Sequence, residues 1–326
     1  MYVRQKVLEF LENNRGKYIS GEEIAKELDI SRNSIWKTIK NLKEEGYEIT
    51  AITNKGYCLA ENNEIISPES IEKYLDDKTR NFKIEIIKET TSTNKVLKEK
   101  AIAGEKDGYV VIANKQTGGY GRYGRAFFSP DMTGIYMSIL LRPQIKARDA
   151  LLITTAAAVA TASALHDICD GKFDIKWVND IYKDGKKVCG ILTEAATDIE
   201  SGRLQYAILG IGINLVFPKE GFPSDIEDIA TAVYDKETQI SDKKSMLIAQ
   251  ILKNFYRYYE NLENREFLDE YRKRCFFINK KLKITRNGEE ETVTAIGIDN
   301  DFRLIIRNKD NTISELSSGE IQIVKS

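Results

Sequence analysis

The most informative stretch of the chain reads Gln116-Thr117-Gly118-Gly119-Tyr120-Gly121-Arg122-Tyr123-Gly124-Arg125-Ala126-Phe127-Phe128-Ser129-Pro130. Four glycines, two arginines and four aromatic residues fall within these fifteen positions. Glycine lets a backbone approach a phosphate closely, and arginine supplies a planar group that stays positively charged. The composition therefore predicts a loop that binds an anionic ligand rather than an element of the core.

The glycine spacing in this stretch formally matches a dinucleotide-binding fingerprint, Gly119-x-Gly121-x-x-Gly124. That fingerprint requires a helix that begins at the glycines. Here Phe127, Phe128 and Pro130 follow instead. We therefore interpret the stretch as an anion-binding loop of another kind.

The composition is that of a globular protein. With 326 residues, 42% of them hydrophobic and 30% charged, the chain is expected to form two or three domains. Its formal net charge is -1, so any binding of nucleic acid must come from a local basic patch. No run of about 18 apolar residues occurs, and Arg4, Lys6 and Glu9 charge the N-terminal segment. We expect a cytoplasmic protein that does not contact a membrane.

Cysteine and histidine offer little for metal or nucleophilic chemistry. The four cysteines are far apart and form no CxxC pair (Cys58, Cys169, Cys189 and Cys275). His166 is the only histidine, and it falls in the alanine-rich helical stretch 155–169, where we expect a packed helix residue. The spacing disfavours zinc sites and disulfides, so no metal site made by the protein alone is expected.

The N-terminal residues predict a DNA-binding fold. Apolar residues at helical spacing indicate three helices, and Ser31 is a candidate N-cap for the third. The range Gly21 to Lys40 covers a helix-turn-helix, and the segment Ser31 to Lys43 is basic and lacks acidic residues. Tyr47 to Ala60 then alternates apolar residues around a turn, as in the wing of a winged helix. The candidate DNA contacts are Ser31, Arg32, Asn33, Ser34, Lys37, Lys40 and the wing residue Lys55. A protein-interaction domain with a charged face is the alternative.

The remaining chain predicts an α+β fold. Six strand patterns and three helical patterns mix between residues 66 and 275: strands at 82–87, 109–113, 134–142, 173–177, 187–195 and 204–215, helices at 94–103, 151–168 and 243–260. Short strand patterns follow at 281–284, 291–297, 303–307 and 321–324, with turn signals at Asn287-Gly288 and 299–301, which predicts a small β-barrel. The expected domains are 1–65, 66–275 and 276–326.

Three further motifs accompany the glycine-arginine stretch. Thr91-Ser92-Thr93-Asn94 ends a strand and opens a helix. Lys176-Trp177-Val178-Asn179-Asp180 leads through a turn into 187–194, KVCGILTE, and Gly210-Ile211-Gly212-Ile213-Asn214 ends an apolar strand. Taken singly, each is compatible with ordinary structure: an N-cap, a hairpin and a buried asparagine.

Together the four motifs resemble the biotin protein ligase family, in particular its larger members that also act as the biotin operon repressor. The family pattern runs S-T-N, G-R-G-R-x-G-R-x-W-x-S, K-W-P-N-D with K-x-x-G-I-L-x-E, and G-I-G-I-N. This order and the winged helix in front extend the resemblance over essentially the full length. It implies a winged helix-turn-helix, a central mixed α/β catalytic domain of the biotin/lipoate-ligase kind and a C-terminal SH3-like β-barrel.

The resemblance also implies an activity. Enzymes of this family, biotin–[biotin carboxyl-carrier protein] ligases, convert biotin and ATP with Mg²⁺ to biotinoyl-AMP. They then transfer biotin to a lysine of a biotin carboxyl carrier protein, such as that of acetyl-CoA carboxylase or pyruvate carboxylase. Biotinoyl-AMP is also the corepressor that promotes a homodimer, which binds operator DNA. No tightly bound prosthetic group is implied.

Site residues follow from the same resemblance. Arg122, Lys187 and Asp180 would be catalytic. Biotin would be bound by Ser92, Thr93, Asn94, Gln116, Tyr120, Gly121, Arg122 and Lys187, and the nucleotide by Arg125, Phe127, Lys176, Asn179 and Asn214. Lys187 would pair with the biotin carboxylate, and the two arginines lie on a loop that can close over the reactive mixed anhydride.

The chain departs from the family pattern at three positions. Tyr120 stands where the family has its first loop arginine, Phe127 where it has an adenine-stacking tryptophan, and Val178 where it has a proline. Phe127 still offers a stacking face. Tyr120 removes one guanidinium, and we expect activity to be kept with Arg122 as the principal residue retaining the intermediate. A ligand-sensing repressor without ligase activity and a lipoate-type ligase remain as alternatives.

Overall fold

The computed structural model describes residues 2–63, 65–235, 238, 240, 242–286 and 289–324. Two compact units make up the chain. The first comprises Met1–Arg80 with Glu237–Gln250, and the second Asn81–Lys236 with Ile251–Ser326. The domain limits 1–65, 66–275 and 276–326 stay a prediction.

The first unit contains the predicted winged helix-turn-helix. Its elements are α1 (Tyr2–Glu12), α2 (Gly21–Leu28), α3 (Arg32–Glu44), β1 (Ile49–Ile52), β2 (Gly56–Leu59) and α4 (Pro68–Glu72). Ser31 caps α3, because its hydroxyl accepts a hydrogen bond from the Ser34 amide at 3.2 Å. The antiparallel pair β1–β2 is the wing. The apolar faces of the three helices meet in one core with side chains such as Leu8, Ile24 and Ile39.

A cluster of charged side chains ties two distant segments of the first unit together. Arg15 pairs with Glu12 at 2.8 Å and also with Asp242. Lys73 lies 3.3 Å from Glu12 and 2.8 Å from Asp242. The Tyr74 hydroxyl donates to the same carboxylate at 2.7 Å. The segment 242–250 is therefore part of the same unit as the N-terminal residues, although it is far from them in the sequence.

A seven-stranded mixed sheet forms the centre of the second unit. Its strands run in the order β3-β4-β5-β9-β8-β7-β6, and only the β3–β4 pair is parallel. The strands are β3 (Lys83–Thr90), β4 (Tyr109–Gln116), β5 (Gly134–Leu141), β6 (Asp174–Lys176), β7 (Asp180–Lys183), β8 (Lys186–Thr197) and β9 (Leu204–Asn214). The six predicted strands are confirmed; β7, which the sequence reading took as part of a turn region, is added.

Two helices cover opposite faces of this sheet. They are α5 (Thr93–Ile102) and α6 (Leu151–Ile168), and the bounds of α6 match the predicted ones. Asn94 of α5 bonds Glu194, whereas Thr154 of α6 bonds Thr193 at 2.7 Å. Thr193 and Glu194 are consecutive residues of β8, and the side chains of consecutive strand residues point to opposite faces. The two helices therefore lie on opposite faces of the sheet. Among the described residues, Ala147–Ile168 is the one helical stretch long and apolar enough to cross a membrane, and it lies largely buried in the core.

The second unit ends in helices and a small sheet. α7 (Lys243–Tyr259) contains the limit between the two units, and α8 (Leu268–Arg274) follows it. The predicted C-terminal β structure is confirmed as a five-stranded antiparallel sheet in the order β13-β12-β11-β10-β14. Its strands are β10 (Lys281–Arg286), β11 (Glu289–Ile298), β12 (Leu304–Arg307), β13 (Ile313–Leu316) and β14 (Ile321–Ile323). The predicted turn at Asn287-Gly288 lies outside the described residues.

Candidate functional site

Glycines on adjacent strands leave one face of the central sheet bare. Gly190 of β8 pairs with Gly212 of β9, and Gly210 lies two residues before Gly212 on the same face. A Cβ atom at Gly212 would come within 2.6 Å of the Phe127 ring. A Cβ atom at Gly210 would come within 2.4 Å of Asn94 Oδ1. These three glycines, here called the glycine floor, therefore let other side chains lie directly on the strand backbone.

The glycine-arginine stretch forms a loop that folds back on itself. We call residues 117–130 the arginine loop. The Gly121 amide donates to the Arg125 carbonyl at 2.8 Å, and the Phe127 amide donates to the Gly119 carbonyl at 2.9 Å. No helix begins at the three fingerprint glycines; a single 3₁₀ turn, Arg122–Gly124, occupies the tip. The prediction that this stretch is not a dinucleotide-binding fingerprint is confirmed.

Polar side chains next to the loop form a continuous hydrogen-bonded cluster. Gln116 Oε1 accepts from the Thr93 amide at 2.9 Å and from the Thr93 hydroxyl at 3.2 Å. The Thr93 hydroxyl lies 2.6 Å from the Ser138 hydroxyl, which donates to Asn94 Oδ1 at 2.6 Å. Asn94 Nδ2 in turn donates to Glu194 at 2.7 Å. This polar cluster brings together three of the residues expected to bind biotin.

Two residues of the polar cluster, Ser138 and Glu194, are not among the predicted site residues. Ser138 is fully buried in a strand that is otherwise apolar, IYMSILL at 135–141. A lone hydroxyl in such a strand needs a buried partner, and this signal could have identified Ser138 from the sequence. Ser92 is also buried, at the N-cap position of α5.

Tyr120 joins the polar cluster from the arginine loop. Its hydroxyl donates to Glu194 Oε2 at 2.8 Å, the same oxygen that accepts from Asn94. Burial, together with the hydrogen bond to the Glu194 carboxylate, raises the pKa of Tyr120 to about 12. The phenol therefore stays protonated at neutral pH and acts as a hydrogen-bond donor. Where a guanidinium was expected, the loop carries a neutral donor aimed at an acid.

Cationic side chains lie on the β7–β8 side of the floor. Lys187 Nζ pairs with Asp180 at 2.7 Å, and the Lys187 side chain packs over Gly190. Lys176 Nζ lies 3.3 Å from the Tyr182 hydroxyl. Burial lowers the pKa of Lys176, opposed by the nearby Asp180 carboxylate. The site therefore holds two lysines and one carboxylate beside the glycine floor.

Asn179 links this cationic side to the arginine loop. Its Oδ1 accepts from Arg122 Nη1 at 3.4 Å, and its Nδ2 donates to the Ile191 carbonyl at 2.7 Å. The second bond fixes the asparagine against β8. Arg122 thus reaches from the tip of the arginine loop to the side of the glycine floor that carries Lys176 and Lys187. The motif containing Asn179 is anchored by the neighbouring Trp177, whose indole donates to the Phe302 carbonyl at 2.9 Å.

The other residues expected to bind the nucleotide have different surroundings. Phe127 lies on the glycine floor, in contact with Gly190 and Gly212. Arg125 is exposed and forms an ion pair with Glu320, which precedes β14. Asn214 Nδ2 donates to the Thr231 carbonyl at 3.1 Å. The charge of Arg125, a predicted nucleotide contact, is thus already paired with the residue that precedes the strand β14.

Cysteine and histidine lie apart from these contacts. All four cysteines are buried, and none of them forms a disulfide. His166 is exposed near the end of α6, so the expectation of a packed helix residue was wrong. Among residues 2–63, 65–235, 238, 240, 242–286 and 289–324, no group of three or more His, Cys, Asp or Glu side chains could hold a metal ion.

On the first unit, the predicted DNA contacts share the outer face of α3. Arg32, Asn33, Lys37 and Lys40 are exposed there, and Lys55 is exposed at the wing turn. The hydroxyls of Ser31 and Ser34 lie 2.8 Å apart, so both serines contribute to the cap of α3. The basic side chains give this face a positive potential next to the wing.

Comparison with known proteins matches both units. Residues 86–214 match the biotin/lipoate A/B protein ligase family, and residues 3–58 match a helix-turn-helix domain. A "bifunctional ligase/repressor BirA" of Bacillus subtilis is 31% identical, with 98% of each chain covered. The protein of that name from Escherichia coli is 26% identical over 98% of this chain and 96% of its own.

A solved structure with the same fold carries both expected substrates. The biotin protein ligase of Aquifex aeolicus in complex with biotin and ATP superimposes with a TM-score of 0.60 at 26% identity. It covers 75% of this chain and 99% of its own chain.

Proposed function

The chain belongs to the family of bifunctional biotin ligases and repressors, and from this premise we propose that it joins biotin to a carrier protein and represses transcription. The ligase activity consumes biotin and ATP and forms biotinoyl-AMP. The acceptor is a lysine of a biotin carboxyl carrier protein, of acetyl-CoA carboxylase or pyruvate carboxylase. Four buried cysteines that form no disulfide suit the reducing cytoplasm, where we propose that the reaction occurs.

One observation carries the ligase proposal. The polar cluster and the Lys187–Asp180 pair both lie over the glycine floor, and Arg122 of the arginine loop reaches Asn179 next to that pair. The hydroxyl and amide groups of this cluster suit the ureido ring of biotin. Fixed cations suit its carboxylate and the phosphates of ATP. The glycine floor therefore carries groups that suit biotin and groups that suit ATP.

Biotin activation follows from this arrangement. A carboxylate oxygen of biotin attacks the α-phosphorus of ATP, the bond to the bridging oxygen breaks, and pyrophosphate leaves. Both reactants are anions, so their mutual repulsion must be lowered. We propose that Lys187 pairs with the biotin carboxylate, while Arg122 and Lys176 stabilise the charge developing on the phosphates. Asp180 pairs with Lys187 at 2.7 Å, and this pairing keeps the Lys187 ammonium group directed at the site.

The nucleotide lies, in this proposal, over Phe127 and near Asn179 and Asn214. Phe127 is a flat apolar face beside the glycine floor and suits a stacked adenine. Mg²⁺ would enter with the phosphates of ATP. The amide oxygens of Asn179 and Asn214 and the carboxylate of Asp180 are the hard oxygen donors that this ion prefers. When bound, Mg²⁺ would neutralise phosphate charge.

Biotin transfer completes the reaction. The amine of the carrier lysine attacks the acyl carbon of biotinoyl-AMP, an amide bond forms, and AMP leaves with the electron pair of the broken C–O bond. Asp180 is the nearest carboxylate to Lys187 and can orient the incoming amine. The arginine loop shields the mixed anhydride from water until the carrier arrives.

The repressor activity rests on the winged helix-turn-helix. The exposed basic face of α3 and the wing residue Lys55 suit the backbone of operator DNA. We propose that biotinoyl-AMP promotes a homodimer, because a two-fold protein matches a palindromic site. Biotinoyl-AMP would then be both the intermediate of the ligase and the corepressor.

One assay tests the ligase proposal against its alternatives. The full chain is incubated with Mg²⁺, ATP, a biotin carrier domain and either labelled biotin or labelled lipoate, and label on the carrier is counted. Transfer of biotin supports the proposal. Transfer of lipoate alone identifies a lipoate ligase. Biotin binding without adenylate or transfer identifies a sensor without ligase activity, and either result overturns the ligase proposal.

A further inference from the structure

A tryptophan is exposed in the middle of the basic face of α3. Trp36 has 54% of its surface exposed, although tryptophan is normally well buried. The opposite face of the helix supplies the core with Ile35, Ile39 and Leu42, so Trp36 is excluded from that core by helical geometry. Its indole lies ready to contact a partner.

The neighbours of Trp36 indicate the chemistry of that partner. Lys37 follows Trp36 in the sequence, Arg32 and Lys40 lie four residues before and after Trp36, and Asn33 lies three residues before it; all four are exposed. Residues three or four apart share one face of a helix, so Arg32, Asn33 and Lys40 flank the indole. A polyanion would pair with these cations. A partner that also offers an apolar group between them would bury the indole.

Duplex DNA with thymine in the major groove fits both requirements. The phosphates on each side of the groove meet the cations, and the groove edge of thymine presents a C5-methyl group, its only apolar feature there. The second helix of a helix-turn-helix inserts its N-terminal residues between the phosphate backbones. Trp36 is the fifth residue of α3 and therefore lies in the N-terminal half of this helix, the half that contacts base edges in such domains.

We infer that Trp36 is a specificity-determining residue, which packs its indole on the C5-methyl group of a thymine in the operator. The inference rests on the DNA-binding part of the proposed function. Arg32, Lys37, Lys40 and Lys55 position the protein through phosphates, which carry no base information. Trp36 reads the sequence by a contact that cytosine, lacking the methyl group, does not offer.

The test begins with the full chain, biotin and ATP. Duplexes that bind are selected from a pool of random DNA, and the affinity of the consensus is measured by fluorescence anisotropy at one fixed salt concentration. Each thymine is then replaced, one at a time, by deoxyuridine, which lacks only the methyl group. Burial of one methyl group corresponds to about fourfold in affinity (about 0.8 kcal/mol). We expect a loss of about fourfold at the contacted thymine.

Variants connect that loss to Trp36. Trp36→Ala should bind the thymine and uracil duplexes equally, and Trp36→Phe should keep part of the discrimination. Lys37→Ala should weaken both duplexes alike and keep the thymine-to-uracil ratio. Tyr2→Ala is the matched control, since Tyr2 is an aromatic residue of the same unit with 68% of its surface exposed. Circular dichroism and thermal unfolding verify the folding of each variant.

The outcomes separate this inference from the function beneath it. If no duplex is selected by the wild-type protein, the repressor proposal is wrong and the inference with it. If a duplex binds but uracil costs nothing at any position, Trp36 does not read thymine. The inference also fails if uracil costs Trp36→Ala as much as it costs the wild-type protein.

Discussion

The Tyr120 hydroxyl donates to Glu194 Oε2 at 2.8 Å, beside the 2.7 Å bond that the same oxygen accepts from Asn94. This carboxylate oxygen therefore joins the arginine loop to the polar cluster, in addition to the bond that Gln116 Nε2 donates to the Ser129 hydroxyl at 3.1 Å. We predict that Tyr120→Phe weakens biotin binding about tenfold, because a hydrogen bond to a charged group contributes about 1.5 kcal/mol or more. Isothermal titration with biotin measures the change.

A double-mutant cycle shows whether the two residues act through each other. Glu194→Gln should weaken biotin binding by a similar factor. The variant with both substitutions should lose little more than either single one, since their shared bond is already broken. Fully additive losses would contradict the coupling. Because the pKa of Tyr120 is raised to about 12, its donor persists across the neutral pH range, and this contribution should not change with pH there.

The glycine floor gives a second prediction. Gly210→Ala would bring its Cβ atom within 2.4 Å of Asn94 Oδ1 and displace the amide from Ser138 and Glu194. We expect biotin affinity to fall at least tenfold, with ATP affinity less affected. Gly212→Ala would instead displace the Phe127 ring, which lies 2.6 Å from that Cβ position. It should raise the KM for ATP more than the KM for biotin.

Initial-rate measurements with each substrate varied in turn test this contrast. Gly297→Ala serves as control, since its Cβ would meet only the Ile305 side chain, at an ordinary 3.7 Å. Identical kinetic effects of Gly210→Ala and Gly212→Ala would contradict the assignment of separate biotin and nucleotide regions on the floor.

Arg122 provides the third prediction. Its guanidinium reaches Asn179 at 3.4 Å and is the cation of the loop tip that faces the lysine pair. Arg122→Gly should release biotinoyl-AMP into solution several-fold more than the parent protein does. Chromatography of labelled adenylate, free and protein-bound, measures the release. Arg125→Gly removes a guanidinium that is paired with Glu320, and it should release less biotinoyl-AMP than Arg122→Gly does. Release no greater than that of the parent would show that Arg122 does not retain the intermediate.

The fourth prediction concerns the stability cost of Lys176. Burial lowers its pKa in the folded protein, so between that value and the unfolded value of about 10.4 the unfolded chain binds more protons. Stability from this group therefore rises with pH through that window, and the cost is fully present below it. Lys176→Met should raise the free energy of unfolding at neutral pH by about 1 kcal/mol and weaken ATP binding.

Thermal unfolding of the second unit at neutral pH and near pH 10 measures this difference. The gain from Lys176→Met should shrink at the higher pH, where the wild-type lysine loses its proton. Lys172→Met changes an exposed lysine close by and should leave the midpoint nearly unchanged. A loss of stability in Lys176→Met at both pH values would show that the charge stabilises the fold.

The fifth prediction concerns assembly. Sedimentation equilibrium of the full chain should give a higher mass with biotin and ATP together than with either ligand alone. Lys187→Met loses the cation that pairs with the biotin carboxylate and should form no biotinoyl-AMP, so it should keep the lower mass under all conditions. A mass independent of ligands in the wild-type protein would contradict biotinoyl-AMP as the dimerising ligand.

Local patterns carried most of the fold. The helix 151–168 was predicted with its bounds because a long apolar run between charged segments leaves little freedom. Short elements escaped: β7 spans Asp180–Lys183, and β13 spans Ile313–Leu316. Four residues show too few periods to separate a strand from a turn, so the pairing with longer neighbours determines them.

The contacts of the site were less accessible than its motifs. Asn94 bonds Ser138 and Glu194, which lie 44 and 100 residues away. Those pairs depend on the register of three strands, which no local pattern specifies. The bond from Tyr120 to Glu194, an acid 74 residues distant, is likewise specified by no local pattern.

Asp242 makes the N-terminal unit inseparable by a single cut. It pairs with Arg15 and Lys73, and the neighbouring Ser245 hydroxyl lies 2.9 Å from that of Ser70. Deletion of residues 1–80 would strip an acidic residue and a buried serine of their partners. A shortened ligase would need compensating changes within 242–250. Trimming the start of the gene by itself would therefore leave the segment 242–250 without the side chains that it pairs with.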